Sequence, residues 1–455
     1  MMHFFADRRQ LPIGQGGFHS TVLYRHGQRF SFVVDCGGDT HEHRQGLVNA
    51  FVESGKDHDI LAISHLDWDH ISGLSTLERA GVRFANVFLP HVDQQQYARW
   101  MILRLSFLNG ETDGATLAEA VNTLGGLYGG RYGRPTIVIP GDDEGPPDRF
   151  LDEDGGNERY PDVSEFLSLS SRIALNSANS KKSFAAGRSI TFERIDWLLR
   201  FYSREWICPS EVDVIWKLDV LQPLSKALND LIAGCMTSDT QALMEPVVAE
   251  LRAVIPAADA NKAIKQVAGK GTTLRGPVSV KSLLGKLYAS TVVLKDYNDA
   301  SLCLYSGPSQ RGWSSLAYWF IRRLAVGGAS LPDHAPLASS RSRAVGWLHT
   351  GDVNLCDSTR LDDFVAHYAF ELPLTSVLVL PHHGSRHSYG KSLAELDDLV
   401  TLMSDRPLFI ANAQPDHKFG HPHAAVTARC VALGTVHIVD RRQKSLLLDS
   451  VRATY

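Results

Sequence analysis

Four side chains of metal-ligand type fall within six residues: His65, Asp67, Asp69 and His70, in the run His65-Leu66-Asp67-Trp68-Asp69-His70. Imidazole and carboxylate are the donors that zinc and manganese take. On an irregular loop, alternate residues can turn toward one ion while the adjacent Asp69-His70 pair reaches a second. Two divalent ions ~3.5–4 Å apart can share a hydroxide and clamp both sides of a phosphoryl displacement. Their charge makes that hydroxide available near neutrality, because a bound water drops toward a pKa of about 7. The competing reading is a polar turn whose aspartate caps the following helix.

Later segments offer partners. Asp352 follows Gly351 and is expected to bridge both ions, or to be an ordinary turn aspartate. His382 and His383 precede Gly384-Ser385. His382 is expected as the metal ligand, with His383 orienting it or touching substrate. His421, in Gly420-His421-Pro422-His423, is expected to ligate a metal or to protonate a leaving group, and otherwise to be a helix-entry histidine. Asp69, His383 and His421 are thus the catalytic candidates. Ser385, His423, Arg341 and Arg343 join His383 as candidate substrate contacts.

The elements that must position these groups are strands. Ser20–Tyr24 and Phe30–Val34 flank a short polar turn and read as a hairpin that runs into Asp35-Cys36-Gly37-Gly38. Ile60–Ser64 is an apolar run suited to a buried strand, ending at His65. Leu74–Ala80 reads as a helix and Asn86–Pro90 as a strand. Further strands are expected at 300–305, 344–349, 377–380, 408–411 and 436–440, several of them ending on a His or Asp. Ligand sites in α/β sheets favour the carboxyl ends of strands, so these residues converge. Between the two strand-rich regions the chain changes character. Residues 110–190 hold Gly-rich and acidic stretches, and 225–270 have helical spacing.

Bulk properties narrow the classes. A chain of 455 residues fits two or three domains at roughly 100–200 residues each, or one α/β unit with insertions. A net charge of −4 gives no global attraction to nucleic acid or anionic membranes, so any such surface is local. The opening MMHFFADRRQ lacks a basic segment followed by an apolar stretch, and no run approaches the ~20 apolar residues of a membrane helix. The six cysteines are scattered without a CxxC pair. A cytoplasmic protein with reduced thiols and no membrane partner is expected.

These residues resemble the metallo-β-lactamase superfamily, whose signature is HxHxDH after a strand, then a Gly-Asp, then a later His. Here Asp67 stands at the second His. This HxDxDH variant is similar to that of the ComEC-type metallohydrolase domain. Gly14-Gln15-Gly16 before the hairpin, Asp35-Cys36-Gly37-Gly38 after it, Asn298-Asp299-Ala300-Ser301-Leu302, and Pro381-His382-His383-Gly384-Ser385 extend the resemblance. It covers about residues 10–100 and 290–450. The ComEC membrane channel has no counterpart, and Gly307–Arg343 separates two strands that a hairpin normally joins. The family's additional histidine before Gly-Asp has no evident counterpart, and His91 reads as a core-edge residue.

The resemblance implies an α/β fold, an αββα sandwich with large helical and loop insertions. Residues 1–105 and 291–455 would form its two halves, and 106–290 an insertion region serving as a lid or binding a protein partner. It also implies two divalent metal ions, Zn or Mn. His65, Asp67 and a later histidine would hold one, Asp69, His70 and a later histidine the other, with Asp352 bridging and His421 assisting the leaving oxygen. The carboxylate at position 67 makes the site harder and favours manganese more than an all-His set would. Phosphodiester hydrolysis of nucleic acid is the expected activity. Lys262, Lys265, Lys270, Arg275, Lys281 and Lys286, with no acidic residue between them, are a basic run that could meet a phosphate backbone. A small-molecule phosphoesterase, a cyclic-nucleotide hydrolase, a lactonase and a non-catalytic partner-binding component are the alternatives.

Overall fold

Apolar runs flanked by small residues become buried strands in the computed structural model of this protein. It describes residues 3–25, 28–38, 41–52, 55–108, 114–139, 182–185, 189–192, 197–206, 210–234, 240–268, 274–290, 298–309, 317–325, 338–342, 344–404, 406–415, 420–441 and 445–454. The chain divides into two units. The first comprises 1–91, 133–204 and 298–455, and the second 92–132 and 205–297.

The first unit holds two sheets. Its early strands are β1 (His3–Gln10), β2 (Gly16–Arg25), β3 (Gln28–Gly38), β4 (Asp57–Ala62), β5 (Arg83–Leu89), β6 (Arg134–Ile139), β7 (Lys182–Ala185), β8 (Ser189–Phe192) and β9 (Trp197–Tyr202). The second unit has a two-stranded ribbon, β10 (Val254–Ile255) with β11 (Val278–Ser279), among helices that include 94–108, 222–234, 257–268 and 280–290. The first unit resumes with β12 (Cys303–Pro308), β13 (Ala317–Ala325), β14 (Ala338–Ser342), β15 (Gly346–His349), β16 (Thr375–Val379), β17 (Leu408–Asn412), β18 (Thr435–Val439) and β19 (Ser445–Thr454). Among the described residues the larger sheet runs β14-β13-β19-β1-β2-β3-β4-β5-β6-β7 and the smaller β18-β17-β16-β15-β12-β9-β8.

Alternating side chains explain the layering. On β4, Ile60 and Ala62 enter the core between the sheets beside Phe4, Leu23, Phe32 and Phe88, where they meet Trp197, Leu199, Phe201 and Leu304 of the smaller sheet. Phe88 stacks on Phe201 at 4.6 Å between ring centroids. Leu348, Leu378 and Phe409 point the other way, under Leu361, Phe364, Leu396 and Val426 of helices 358–367, 394–401 and 424–433. On the far side of the larger sheet, Phe51 of helix 41–52 packs on Phe18. The expected αββα sandwich is the fold observed.

Two features differ from expectation. Residues 133–204, which fall inside the expected insertion 106–290, supply β6 to β9 to the sheets. β9 is an apolar hexamer that pairs antiparallel with β12 over 303–308, a long-range contact that local pattern does not announce. The segment after Gly307 forms β13 and β14 on the edge of the larger sheet, while β12 and β15 still pair antiparallel across it. Among the described residues, no helix is long and apolar enough to cross a membrane. Cys36, Cys303, Cys356 and Cys430 are free thiols.

One buried ion pair joins the layers. The Arg8 guanidinium on β1 lies 2.9 Å from Asp449 on β19 and donates to the Val345 carbonyl at 2.6 Å. The Trp347 indole on β15 donates to the same Asp449 carboxylate. Arg8 also sits 5.7 Å from the Trp197 ring and 5.4 Å from the Trp347 ring. Arg8 and Asp449 are both 0% exposed, so neither charge has water to fall back on. Replacing Arg8 by Met, which keeps the bulk but strands the carboxylate, is expected to destabilise the first unit by about 3–5 kcal/mol. Urea unfolding measures this, and a change within experimental error would show that the pair does not hold the sheets.

Candidate metal centre

Parallel pairing sets the direction of the chain at the site. β3 and β4 run parallel, as do β15, β16 and β17, and each ends at a residue of interest. Asp35 lies near the end of β3, Ser64 and His65 just beyond β4, Asp352 beyond β15, and His382-His383 beyond β16. The loop from His65 enters the short helix Trp68–Ile71, which presses against β2 and β3. A Cβ at Gly16 or Gly37 would run into the Asp69 backbone carbonyl. Gly16 also has φ of 127°, which L side chains rarely adopt. The close seating of Asp69-His70 on the hairpin therefore requires these glycines.

His70 is the centre of the cluster. Its Nδ1 donates to Asp35 Oδ2 at 3.0 Å, and its Nε2 faces Asp352 Oδ1 at 3.3 Å. Asp35 also accepts from the Ser64 backbone amide at 2.7 Å and from the Ser64 hydroxyl at 2.5 Å. A carboxylate fixed this way orients the imidazole and leaves Nε2 to point inward, the arrangement that supports a metal-ligating histidine. His383 Nε2 donates to Asp69 Oδ2 at 3.1 Å and lies 3.9 Å from Asp352 Oδ1. The His65 ring is 5.5 Å from that of His70. Two sets could hold an ion: His65, His70 and Asp352, and Asp69, His70 and His383, each with donor atoms within 4.8 Å of one another.

The sequence-based site is thus largely brought together, with different assignments inside it. Asp67 is in neither set. Its carboxylate stands 3.6 Å from His65 Nδ1, at the start of helix 68–71 but without capping it through its side chain. His383 occupies the position expected for His382. Both residues have positive φ, 47° and 58°, so strand alternation does not continue through the turn. The second ring swings inward, while the His382 ring accepts from Asn298 Nδ2 at 3.0 Å and stays 4.0 Å from Asp352 Oδ2. His421 is half-buried, with its ring 5.3 Å from that of His382 and outside both sets. The His423 ring accepts from the Ala425 amide and caps helix 424–433. The Ser385 hydroxyl accepts from the His387 amide. Arg341 lies on β14, across from Tyr318; Arg343 and Lys270 lie outside the described residues. His91 sits in a bend, half-buried. Asp35 and Ser64 received no site role from the sequence, although an aspartate closing an apolar strand before Gly37-Gly38 was a usable signal.

The charge pattern fits a cation. Burial alone would raise the Asp352 carboxyl and depress the His70 imidazole. Their mutual attraction wins, with Asp35 and Asp69 adding to it at His70 and with His382 and His383 adding to it at Asp352. Asp352 is held well below the carboxylate range and His70 well above the histidine range. His383 is raised against burial by Asp352 and Asp69, and Asp69 is lowered against burial by His70 and His383. Raised imidazoles beside lowered carboxylates mark a place that favours positive charge. Divalent ions meet that demand through the same atoms.

Residues 14–82 match the family model of the metallo-beta-lactamase superfamily. That segment carries β2, β3, β4 and the whole His65–His70 cluster, and two facing sheets flanked by helices complete a metallo-β-lactamase fold around it. No curated protein matches the chain. Among solved structures, that of unliganded yeast PDE1 aligns over 98% of this chain and 99% of that chain, at 10% identity and a TM-score of 0.31. A likeness that distant bears on neither substrate nor mechanism.

Asp35 makes a testable contribution. Asp35→Asn keeps the size but weakens the grip on His70, and is expected to lower affinity for zinc or manganese by about 10–100-fold while the chain stays folded. Calorimetric titration with each metal decides, and unchanged affinity would remove Asp35 from the site. The raised imidazoles of His70 and His383 set the pH dependence. Metal must displace their protons, so affinity should climb as pH rises from roughly 6 to 8. A flat profile would contradict the charge account.

Proposed function

We propose that the chain is a metal-dependent hydrolase of phosphodiesters, with nucleic acid as the favoured substrate. One observation carries this reading: two three-residue donor sets meet at His70, with Asp352 on one side and Asp69 on the other. His65, His70 and Asp352 would hold one ion, and Asp69 and His383 would serve the other. An imidazole nitrogen serves one ion at a time, so the two-oxygen carboxylate of Asp352 is the group suited to reach both. When bound, zinc or manganese would supply Lewis-acid charge and a water acidic enough to attack at neutral pH. Two cations side by side suit an anionic phosphodiester better than an uncharged lactone.

The chain's own residues divide the remaining work. Asp35 and Ser64 keep the His70 ring from turning. Asn298 fixes His382 with its other nitrogen away from Nδ1, where it can touch an equatorial phosphoryl oxygen. His421, half-buried beside it, would deliver a proton to the departing alkoxide. Lys262, Lys265, Arg275 and Lys286 in the second unit are exposed, so that unit could by itself meet a polyanion. Each phosphate they neutralise would contribute a slope of about −0.7 to −0.9 in log affinity against log salt.

The test is a panel of single- and double-stranded DNA, RNA, a bis-nitrophenyl phosphate and a lactone, each with manganese and with zinc. Cleavage of the phosphodiesters is expected, with turnover falling at least about 100-fold in Asp69→Ala, His70→Ala and Asp352→Ala. Lactone hydrolysis with inert phosphodiesters would overturn the substrate class. Purified protein that takes up neither metal would overturn the reading altogether.

A further inference from the structure

Four buried polar atoms gather on the wall of the cavity that also carries His70, Asp352 and His383. They are Oε1 of Gln10 on β1, Nδ1 of His19 on β2, Nε2 of His349 at the end of β15 and Oδ1 of Asn412 at the end of β17. Among the described residues, none of these atoms has a hydrogen-bond partner. Their residues are 0%, 2%, 3% and 8% exposed. Buried polar atoms are ordinarily satisfied, and a group of four on one cavity points to a ligand.

The chemistry of the four atoms selects that ligand. Gln10 Nε2 donates to the Phe18 carbonyl at 3.2 Å, which identifies the oxygen as the end that lines the cavity. His19 Nε2 meets the Thr21 hydroxyl at 2.9 Å, which leaves Nδ1. The two imidazoles lie 4.3 Å apart at their ring centroids. Burial, then His349 and Arg8, hold His19 well below the histidine range. Burial, then Arg8, hold His349 at about 3. Both rings are therefore neutral, able to donate at one nitrogen and accept at the other.

A cation is opposed by the same Arg8 guanidinium. A cation entering the cavity would settle instead on Asp352 and the imidazoles that face it. An anion would face two amide oxygens. Size favours a small molecule: the cavity volume is about 20 Å³, on the measure by which one water needs roughly 10–15 Å³. Water, which is small and neutral and both donates and accepts, is the ligand that the chemistry of these atoms suits.

We propose that Gln10, His19, His349 and Asn412, drawn from two strands of each sheet, form a buried water site on the inner wall of the metal cavity. Hydrolysis consumes one water for each bond cleaved. A substrate seated over the half-buried His382 and His421 covers the open face, and the inner site keeps water beside the ligand cluster while it does. This catalytic consequence rests on the proposed function; the water site itself does not.

The experiment has two arms. The first is a crystal structure of the full chain at a resolution that shows ordered water, with ¹⁵N spectra of the His19 and His349 rings. Density within about 2.7–3.2 Å of at least three of the four atoms, and rings that remain neutral at pH 6–7, are expected. A dry cavity, or a direct hydrogen bond between the two rings, overturns the proposal even in a protein that binds no metal. The second arm compares His349→Leu with His349→Gln. The leucine is expected to lower kcat about tenfold with metal content and KM unchanged, and the glutamine to restore it. Unchanged kcat in a folded, metal-loaded His349→Leu enzyme overturns the role in water supply. A chain without any metal uptake sinks the hydrolase reading and leaves the first arm to decide the water site.

Discussion

Concentrating carboxylates where little water reaches is unfavourable unless positive charge is concentrated with them, and this constraint organises the first unit. Asp35, Asp69 and Asp352 all lie within contact of His70 or His383. Left as bare anions they would repel one another and lose hydration. They persist because each is paired with an imidazole, and because Asp35 is additionally met by the Ser64 amide and hydroxyl. The loops that carry them are accordingly tied to one another. The His382 amide donates to the Gly351 carbonyl, the Leu302 amide to the Ser64 carbonyl, and the Asp352 amide to the Ser301 hydroxyl. A loop that drifted would expose a charge without its partner.

The same logic recurs deeper in the sandwich with the signs arranged differently. Arg8 pairs with Asp449 and donates to the Val345 carbonyl, and the Trp347 indole donates to the same carboxylate. This pair fixes β1 and β19 against β15, and β15 is the strand that presents Asp352. The separation of the two sheets at the ligand cluster therefore depends on a charge pair that takes no part in it. Hydrophobic burial draws the sheets together without choosing a register, whereas a guanidinium that must meet one carboxylate and one carbonyl leaves little freedom.

Legibility from sequence followed the range of the signal. The cluster at 65–70, Asp352 and the His382-His383 pair were readable because each follows an apolar run, and parallel strands expose their carboxyl ends. Which histidine of the pair turns inward was not readable. The answer depends on two residues in left-handed backbone, and alternation gives the opposite result. Asp67 falls in neither donor set, because spacing on a loop says nothing about direction once a helix begins at Trp68. β1, β19 and β9 went unread for another reason. β1 is charged at Asp7, Arg8 and Arg9, yet is central in its sheet, because Arg8 is buried against Asp449. A burial pattern that depends on a partner more than 400 residues away leaves no local trace.

His19 and His349 make the point most sharply. Four histidines line one cavity, and their surroundings shift them in opposite directions. His70 and His383 face carboxylates, and attraction overcomes the cost of burying a charge. His19 and His349 lie within the field of Arg8, and desolvation and repulsion act together to keep them neutral. Residue type alone would have made all four equivalent metal ligands. The electric field from Asp35 and Asp352 on one side and Arg8 on the other separates them into cation-demanding and neutral pairs. On the proposed function, one environment would bind and activate through charge, and the other would hold a neutral molecule without trapping the ion.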